Sequence, residues 1–209
     1  VDNEDVWKLM LANVRTPRYN YGDLRAMISA VDLGERRMQD LFRKYGVETV
    51  ETNVADLLDY SERRMRAEIA AIPDGVYRFE DMVENDGIDN RRFTIHVEIY
   101  KQGEEIVVDY TGSSPQARGP INATLGVTWS ATYNELLHMT DPSIPKNSGC
   151  FRPIRVVEKP GPVVPVDLQA PEVGGNTETH PRIAGAVMGA LAAAIPGRAM
   201  AAEGCTHGN

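Results

Sequence analysis

The sequence predicts an α+β protein, with a helical N-terminal segment (1–72), then an antiparallel hairpin or sheet opening a mixed, loop-rich α/β region (73–209). Three observations lead there. Apolar residues recur at helical spacing through the first third of the chain. From Phe93 the period changes to two, the mark of a half-buried strand. Beyond Thr111, Pro, Gly, Ser and Asn punctuate every connection and leave space for two further helices.

Val6, Leu9, Met10 and Asn13 share one helical face until Thr16-Pro17 interrupts it. Asp23 stands where an N-cap would, and Gly46 supplies a stop. Between them Leu24, Met27, Ile28, Val31, Met38, Leu41, Phe42 and Tyr45 line one side. Gly34 inside that stretch costs a helix roughly 1 kcal/mol, which leaves a kink or a break open there. Asn53 reads as the next N-cap, before a stripe of Val54, Leu57, Leu58, Ser61, Met65 and Ile69. Glu62, Arg63, Arg66 and Glu68 fall on the opposite, solvated face, and Pro73-Asp74-Gly75 closes the segment.

Phe93, Ile95, Val97 and Ile99 alternate with Thr94, His96, Glu98 and Tyr100, which predicts a strand with one buried face. Gln102-Gly103 turns the chain into a returning strand through Ile106, Val108 and Tyr110, and Val76–Val83 supplies a third antiparallel strand. Helical spacing resumes from Ala123 to Met139, Phe151–Val157 reads as a strand, and Pro160–Pro171 as an extended connection. Arg182–Ile195, rich in Ala and Gly, reads as a closely packed helix closed by Pro196-Gly197.

Composition removes several function classes. The 209 residues carry a net charge of −8 and a pI near 5.1, against the clustered Lys and Arg that nucleic-acid or anionic-membrane binding requires. The longest apolar stretch, Ile183–Ile195, falls short of the roughly 20 residues of a membrane span. Two cysteines, Cys150 and Cys205, are too few for a disulfide scaffold, so a cytoplasmic, reduced protein is the expectation. The chain has no initiator Met and stops just after an apolar stretch, as a piece of a longer protein, a processed product or an incomplete sequence would.

No phosphate-binding glycine signature and no paired metal-ligand motif occurs. His96 and Glu98 lie on one strand face, and Glu178 and His180 sit two apart in a loop. Each pair can converge on an ion or serve an ordinary polar surface. Cys150 and Cys205 read as incidental thiols, with His207 two residues beyond the second. Asp109, at a strand end before Thr111-Gly112-Ser113, is either a site carboxylate or an Asx turn. Asn122, Asn147, Asn176 and Glu178 stand in or beside turns, where amides and carboxylates either position a substrate or hold loops together.

Those turns also carry a resemblance. The runs are Val108-Asp109-Tyr110-Thr111-Gly112-Ser113-Ser114-Pro115-Gln116, Pro120-Ile121-Asn122-Ala123-Thr124, Asp141-Pro142-Ser143-Ile144-Pro145-Lys146-Asn147-Ser148-Gly149 and Gly174-Gly175-Asn176-Thr177-Glu178-Thr179. Upstream stand Asn13-Val14-Arg15-Thr16-Pro17 with Gly22-Asp23-Leu24-Arg25-Ala26, and Ser61-Glu62 before Ile72-Pro73-Asp74-Gly75-Val76-Tyr77. In order and spacing they resemble the central part of the hydantoinase B/oxoprolinase family. That likeness implies a subunit well over twice this length, working with a hydantoinase A-type subunit that binds and cleaves ATP. Together such pairs open hydantoins, 5-oxoproline or lactams by phosphorylating a carbonyl oxygen, and related pairs carboxylate acetone or acetophenone. A third reading is a scaffolding segment that only contacts the partner.

On that likeness the expectation is that these turns lie near the active cavity, with Asp109 and Glu178 catalytic, orienting water or a metal, and Asn122, Asn147 and Asn176 binding substrate at a carbonyl or phosphoryl oxygen. A divalent metal would take its ligands from the family's N-terminal part, which this chain does not include. His180-Pro181 departs from the small polar residue and Gln that relatives carry there.

Overall fold

The computed structural model describes residues 3–157, 159, 163–166 and 169–201. Helix α1 (Glu4–Ala12) starts at Asn3, whose side-chain oxygen accepts the amides of Asp5 and Val6. Helix α2 (Pro17–Tyr45) starts at Pro17 and not after Asp23, because proline's fixed φ suits the first helical turn. It runs through Gly34 unbroken. Helix α3 (Val47–Ala70) follows directly on Gly46, which adopts φ +84°. Asn53 is therefore inside the helix, where its amide donates back to the Thr49 carbonyl (2.8 Å).

Two compact units result, Val1–Asp56 and Leu57–Asn209. In the first, α1 and α2 meet through an edge-to-face contact of Trp7 and Tyr21 with ring centroids 5.1 Å apart. None of its described residues is buried.

The second unit holds the core. Strands β1 (Gly75–Val83), β2 (Phe93–Gln102) and β3 (Glu105–Asp109) form an antiparallel meander, and the short β4 (Ile154–Val156) adds to β3 in parallel. Phe93, Ile95, Val97 and Ile99 are buried on one face of β2, as their alternation predicts. Helix α6 (His180–Ala192) lies on that face. A Cβ on its Gly189 would come within 2.7 Å of the Phe79 ring, so glycine there lets helix and sheet approach. Helix α4 (Leu125–His138) packs beside α6, and its Thr132 hydroxyl shares a 2.7 Å hydrogen bond with Tyr110.

The C-terminal turns of α3 belong to this unit: Ser61, Met65 and Ile69 are buried. Their polar neighbours are less solvated than the periodicity predicts. Arg152 bonds Asp59 (2.8 Å) and Glu62 (2.9 Å), Arg66 bonds Glu62 (2.9 Å), and Arg198 bonds Glu68 (2.7 Å). Phe151 ends the four-residue helix α5 (Ser148–Phe151), so the strand predicted from that residue begins only at Ile154. The predicted extended connection of 160–171 falls partly outside the described residues. Among the described residues no helix is long and apolar enough to cross a membrane.

Candidate functional site

The densest polar construction joins the loop before α4 to the turn before α6. Asn122 is fully buried at its centre. Its Oδ1 accepts the Ala117 amide (2.8 Å), and its Nδ2 donates to the carbonyls of Ala117 (3.0 Å), Gly119 (3.1 Å) and Pro171 (2.9 Å). Two N–H bonds serving three acceptors leave no donor for a ligand. Asn122 is thus bonded as a loop organiser.

Asp86 extends the construction from the β1–β2 connection. Its carboxylate accepts the amides of Ile88 (2.9 Å), Asp89 (2.6 Å) and Gly119 (2.7 Å). Burial alone would push this carboxyl up; the amides of Asp89, Gly119 and Ile88 outweigh it and hold it at about 2. In the sequence Asp86 carries no site signal beyond the turn composition of Glu84-Asn85-Asp86-Gly87.

The turn before α6 is a single π-helical turn, Gly175–Thr179. Gly174 donates its amide to the Pro120 carbonyl (2.5 Å), and the Thr179 hydroxyl donates to the Ile121 carbonyl. A Cβ on Gly175 would stand 2.1 Å from the Asn122 carbonyl oxygen. Two hydrogen bonds and one close backbone approach therefore fix a turn whose wider hydrogen-bond ring is uncommon in helices. Asn176 on it is exposed and Glu178 half-buried, and neither side chain has a hydrogen bond or ion pair among the described residues. Among the described residues the turn thus presents a carboxamide and a carboxylate without a partner, on a backbone anchored to the 120–122 segment.

Asn122, Asn176 and Glu178 are brought together; Asp109 and Asn147 are not. Asp109 pairs in register with Glu98, so its side chain shares the face opposite the Val97 face that α6 covers. Its Oδ1 accepts the Thr111 amide (2.7 Å), the Asx turn of the two readings. Asn147 caps α5, accepting the Gly149 amide (2.9 Å), and donates to the Ser61 hydroxyl of α3 (2.8 Å). The five residues therefore do not form one constellation.

His96 and Glu98 do converge, within an ion-pair array. His96 Nδ1 lies 3.0 Å from Glu80 and its Nε2 3.7 Å from Glu98, while Arg78 donates to Glu98 (2.6 Å). The Tyr100 hydroxyl and then Arg78 hold the Glu98 carboxyl below its usual range. Cys150 is buried and its thiol donates to the Asn147 carbonyl (2.9 Å); burial pushes its pKa up, the wrong direction for a nucleophile. Cys205 and His207 lie outside the described residues. Among the described residues no three His, Cys, Asp or Glu side chains are placed to hold a metal ion, so they do not fit a divalent metal.

A profile of the hydantoinase B/oxoprolinase family matches residues 1–209. The chain belongs to that family. The putative B-type component of a D-/L-hydantoinase of Pseudomonas sp. (strain NS671) is 33% identical over 219 residues, 98% of this chain and 36% of the relative. The beta component of the caprolactamase of Pseudomonas jessenii is 33% identical over 206 residues, 98% of this chain and 35% of the relative. The hydantoinase B-type chain thus spans about a third of the length of these relatives.

Among solved structures, the crystal structure of the ATP-dependent caprolactamase from Pseudomonas jessenii matches with a TM-score of 0.82 at 32% identity, over 94% of this chain and 34% of that one. A nucleotide-free acetone carboxylase shares the fold, with a TM-score of 0.80 at 17% identity over 95% of this chain and 28% of that one.

Proposed function

We propose that this chain is part of the B-type subunit of an ATP-dependent enzyme that opens a cyclic amide, and that the 174–179 turn faces the reacting carbonyl. The observation that carries the reading is the pair of polar side chains, Asn176 and Glu178, that have no bond among the described residues, on a turn held by two hydrogen bonds and a close backbone approach. The relatives named as hydantoinase, caprolactamase and 5-oxoprolinase share one bond type, the C–N bond of an amide closed into a ring.

An amide nitrogen leaves poorly, and resonance keeps its carbonyl carbon unreactive. ATP, held by a hydantoinase A-type partner subunit, would pass its γ-phosphoryl group to the carbonyl oxygen and leave as ADP, which removes that resonance. Water then adds to the carbon, the ring C–N bond breaks as the nitrogen takes a proton, and a second water releases phosphate from the resulting acyl phosphate. In this reading the Asn176 carboxamide donates a hydrogen bond that orients the ring, and the Glu178 carboxylate takes the proton of the attacking water. Asn122 positions their turn, while Asp109 and Asn147 position loops of their own. Any divalent metal of the complex takes its ligands from other parts of it. With only two cysteines and no disulfide scaffold, the reading places the working complex in the reducing cytoplasm.

The test is turnover of the assembled complex with ATP and a hydantoin, 5-oxoproline or a lactam. Glu178→Gln lowers kcat about a hundredfold or more, and Asn176→Ala lowers kcat/KM about tenfold, with both complexes intact. Full turnover in Glu178→Gln overturns the site. Product only from a ketone with bicarbonate replaces the reading with a ketone carboxylase. Loop variants that lose the partner on purification, yet are fully active once assembled, replace it with a scaffold.

A further inference from the structure

Helix α2 carries a repeat that the other described residues leave largely uncovered. Leu24, Val31, Met38 and Tyr45 recur every seven residues, and so do Met27, Gly34 and Leu41 between them. Alternating steps of three and four give a 3.5-residue period, the seam of a supercoiled helix pair. The seam is open: Met27 is 65% exposed, Val31 72% and Leu41 41%. Beside its N-terminal half lies an apolar groove of about 580 Å³, lined by Val6, Trp7 and Met10 of α1 and Leu24, Met27 and Ile28 of α2. Among the described residues nothing explains Gly34, since a Cβ there meets nothing within 4 Å.

We infer that α2 pairs antiparallel with α2 of a second copy of this chain, about a two-fold axis between Asp32 and Leu33. The charge pattern selects both the occupant and the direction. Antiparallel pairing sets Leu24 against Leu41, Met27 against Met38 and Val31 against Gly34 of the other copy, so each glycine receives a larger side chain. It also brings Asp23, which flanks the seam at one end, beside Lys44, which flanks it at the other, twice by symmetry. Parallel pairing would stack Gly34 on Gly34 and bring Asp23 beside Ile28, with no flanking charge pair. The C-terminal half of one α2, with Met38 and Leu41, then fills the α1–α2 groove of the other copy.

The experiment is sedimentation velocity and native mass spectrometry on the full-length subunit with its partner subunit. The expected particle holds two copies of this polypeptide. Met38→Asp with Leu41→Asp gives one copy, with the helical circular dichroism retained. Lys44→Glu, an exposed change that leaves the fold alone, raises the dissociation constant about tenfold, and adding Asp23→Lys restores it. One copy in the wild type, as when another part of the subunit or the partner covers the groove, overturns the inference. So do two copies in Met38→Asp/Leu41→Asp, or no recovery in the charge swap.

Discussion

Asn122 and Asn176 are the same residue type in neighbouring loops, and their surroundings divide their work. Asn122 meets four backbone atoms in a fully buried position. Asn122→Ala strands an amide and up to three carbonyls, a loss of about 3 kcal/mol by urea denaturation. Asn122→Asp is at least as harmful, because a carboxylate would face three carbonyl oxygens with no hydrogen to give. Asn176→Ala removes no bond among the described residues, so its stability change stays within about 0.5 kcal/mol while turnover falls. Asp86 adds a pH signature. Its folded-state pKa of about 2 lies below the ordinary 3.8, so its contribution is complete above pH ~4 and is lost as pH falls through ~2. Urea midpoints measured from pH 5 to pH 2 fall in the wild type across that window. In Asp86→Asn that part of the decline is absent, and the protein starts less stable because a carbonyl replaces a charged acceptor of three amides.

At the scale of elements, the decisive contacts are backbone approaches. Gly189 of α6 sits on Phe79 of β1, so Gly189→Ala forces helix and sheet apart and costs about 1–3 kcal/mol. Phe79→Leu in the same chain recovers part of that loss, read as the thermal midpoint of the double variant against each single one. Such contacts explain what the sequence could and could not tell. The β2 strand was legible because Phe93, Ile95, Val97 and Ile99 repeat with the pleat, and the small residues of α6 announced its close packing. The starts of α2 and α3 were not, since Pro17 both interrupts one helix and opens the next, and Gly46 alone separates two helices. Strand β4 pairs in parallel over three residues, too short to show a period. At the site, the turn residues were legible as types, but their grouping was not. Gly175 packs on the Asn122 carbonyl, and a missing Cβ leaves no periodic mark. Asp109 parts from Glu178 because the sheet's two faces differ by one residue of register, which no loop motif encodes.

The whole molecule combines a unit that has a core with a unit that has none. Leu57–Asn209 contains every buried residue among those described, and Val1–Asp56 contains none. Helices of such a unit gain little from propensity alone; their stability in proteins comes from burying an apolar face. The α2 seam exposes Met27, Val31 and Leu41 instead, so its amides must open easily until something covers it. Hydrogen exchange on the full-length subunit tells what does. Amides of β2 and α6 are protected at every protein concentration, because their partners are in the same chain. Pairing with a second copy makes α2 protection rise with concentration, since a partner that binds only the closed form adds stability by mass action. Cover from another segment of the same polypeptide gives protection independent of dilution, because its effective concentration is fixed by the covalent link. The antiparallel pair requires the first pattern, steepest at a concentration near the dissociation constant and displaced about tenfold upward in Lys44→Glu. A flat profile in α2 would mean that the heptad seam serves the interior of a single subunit.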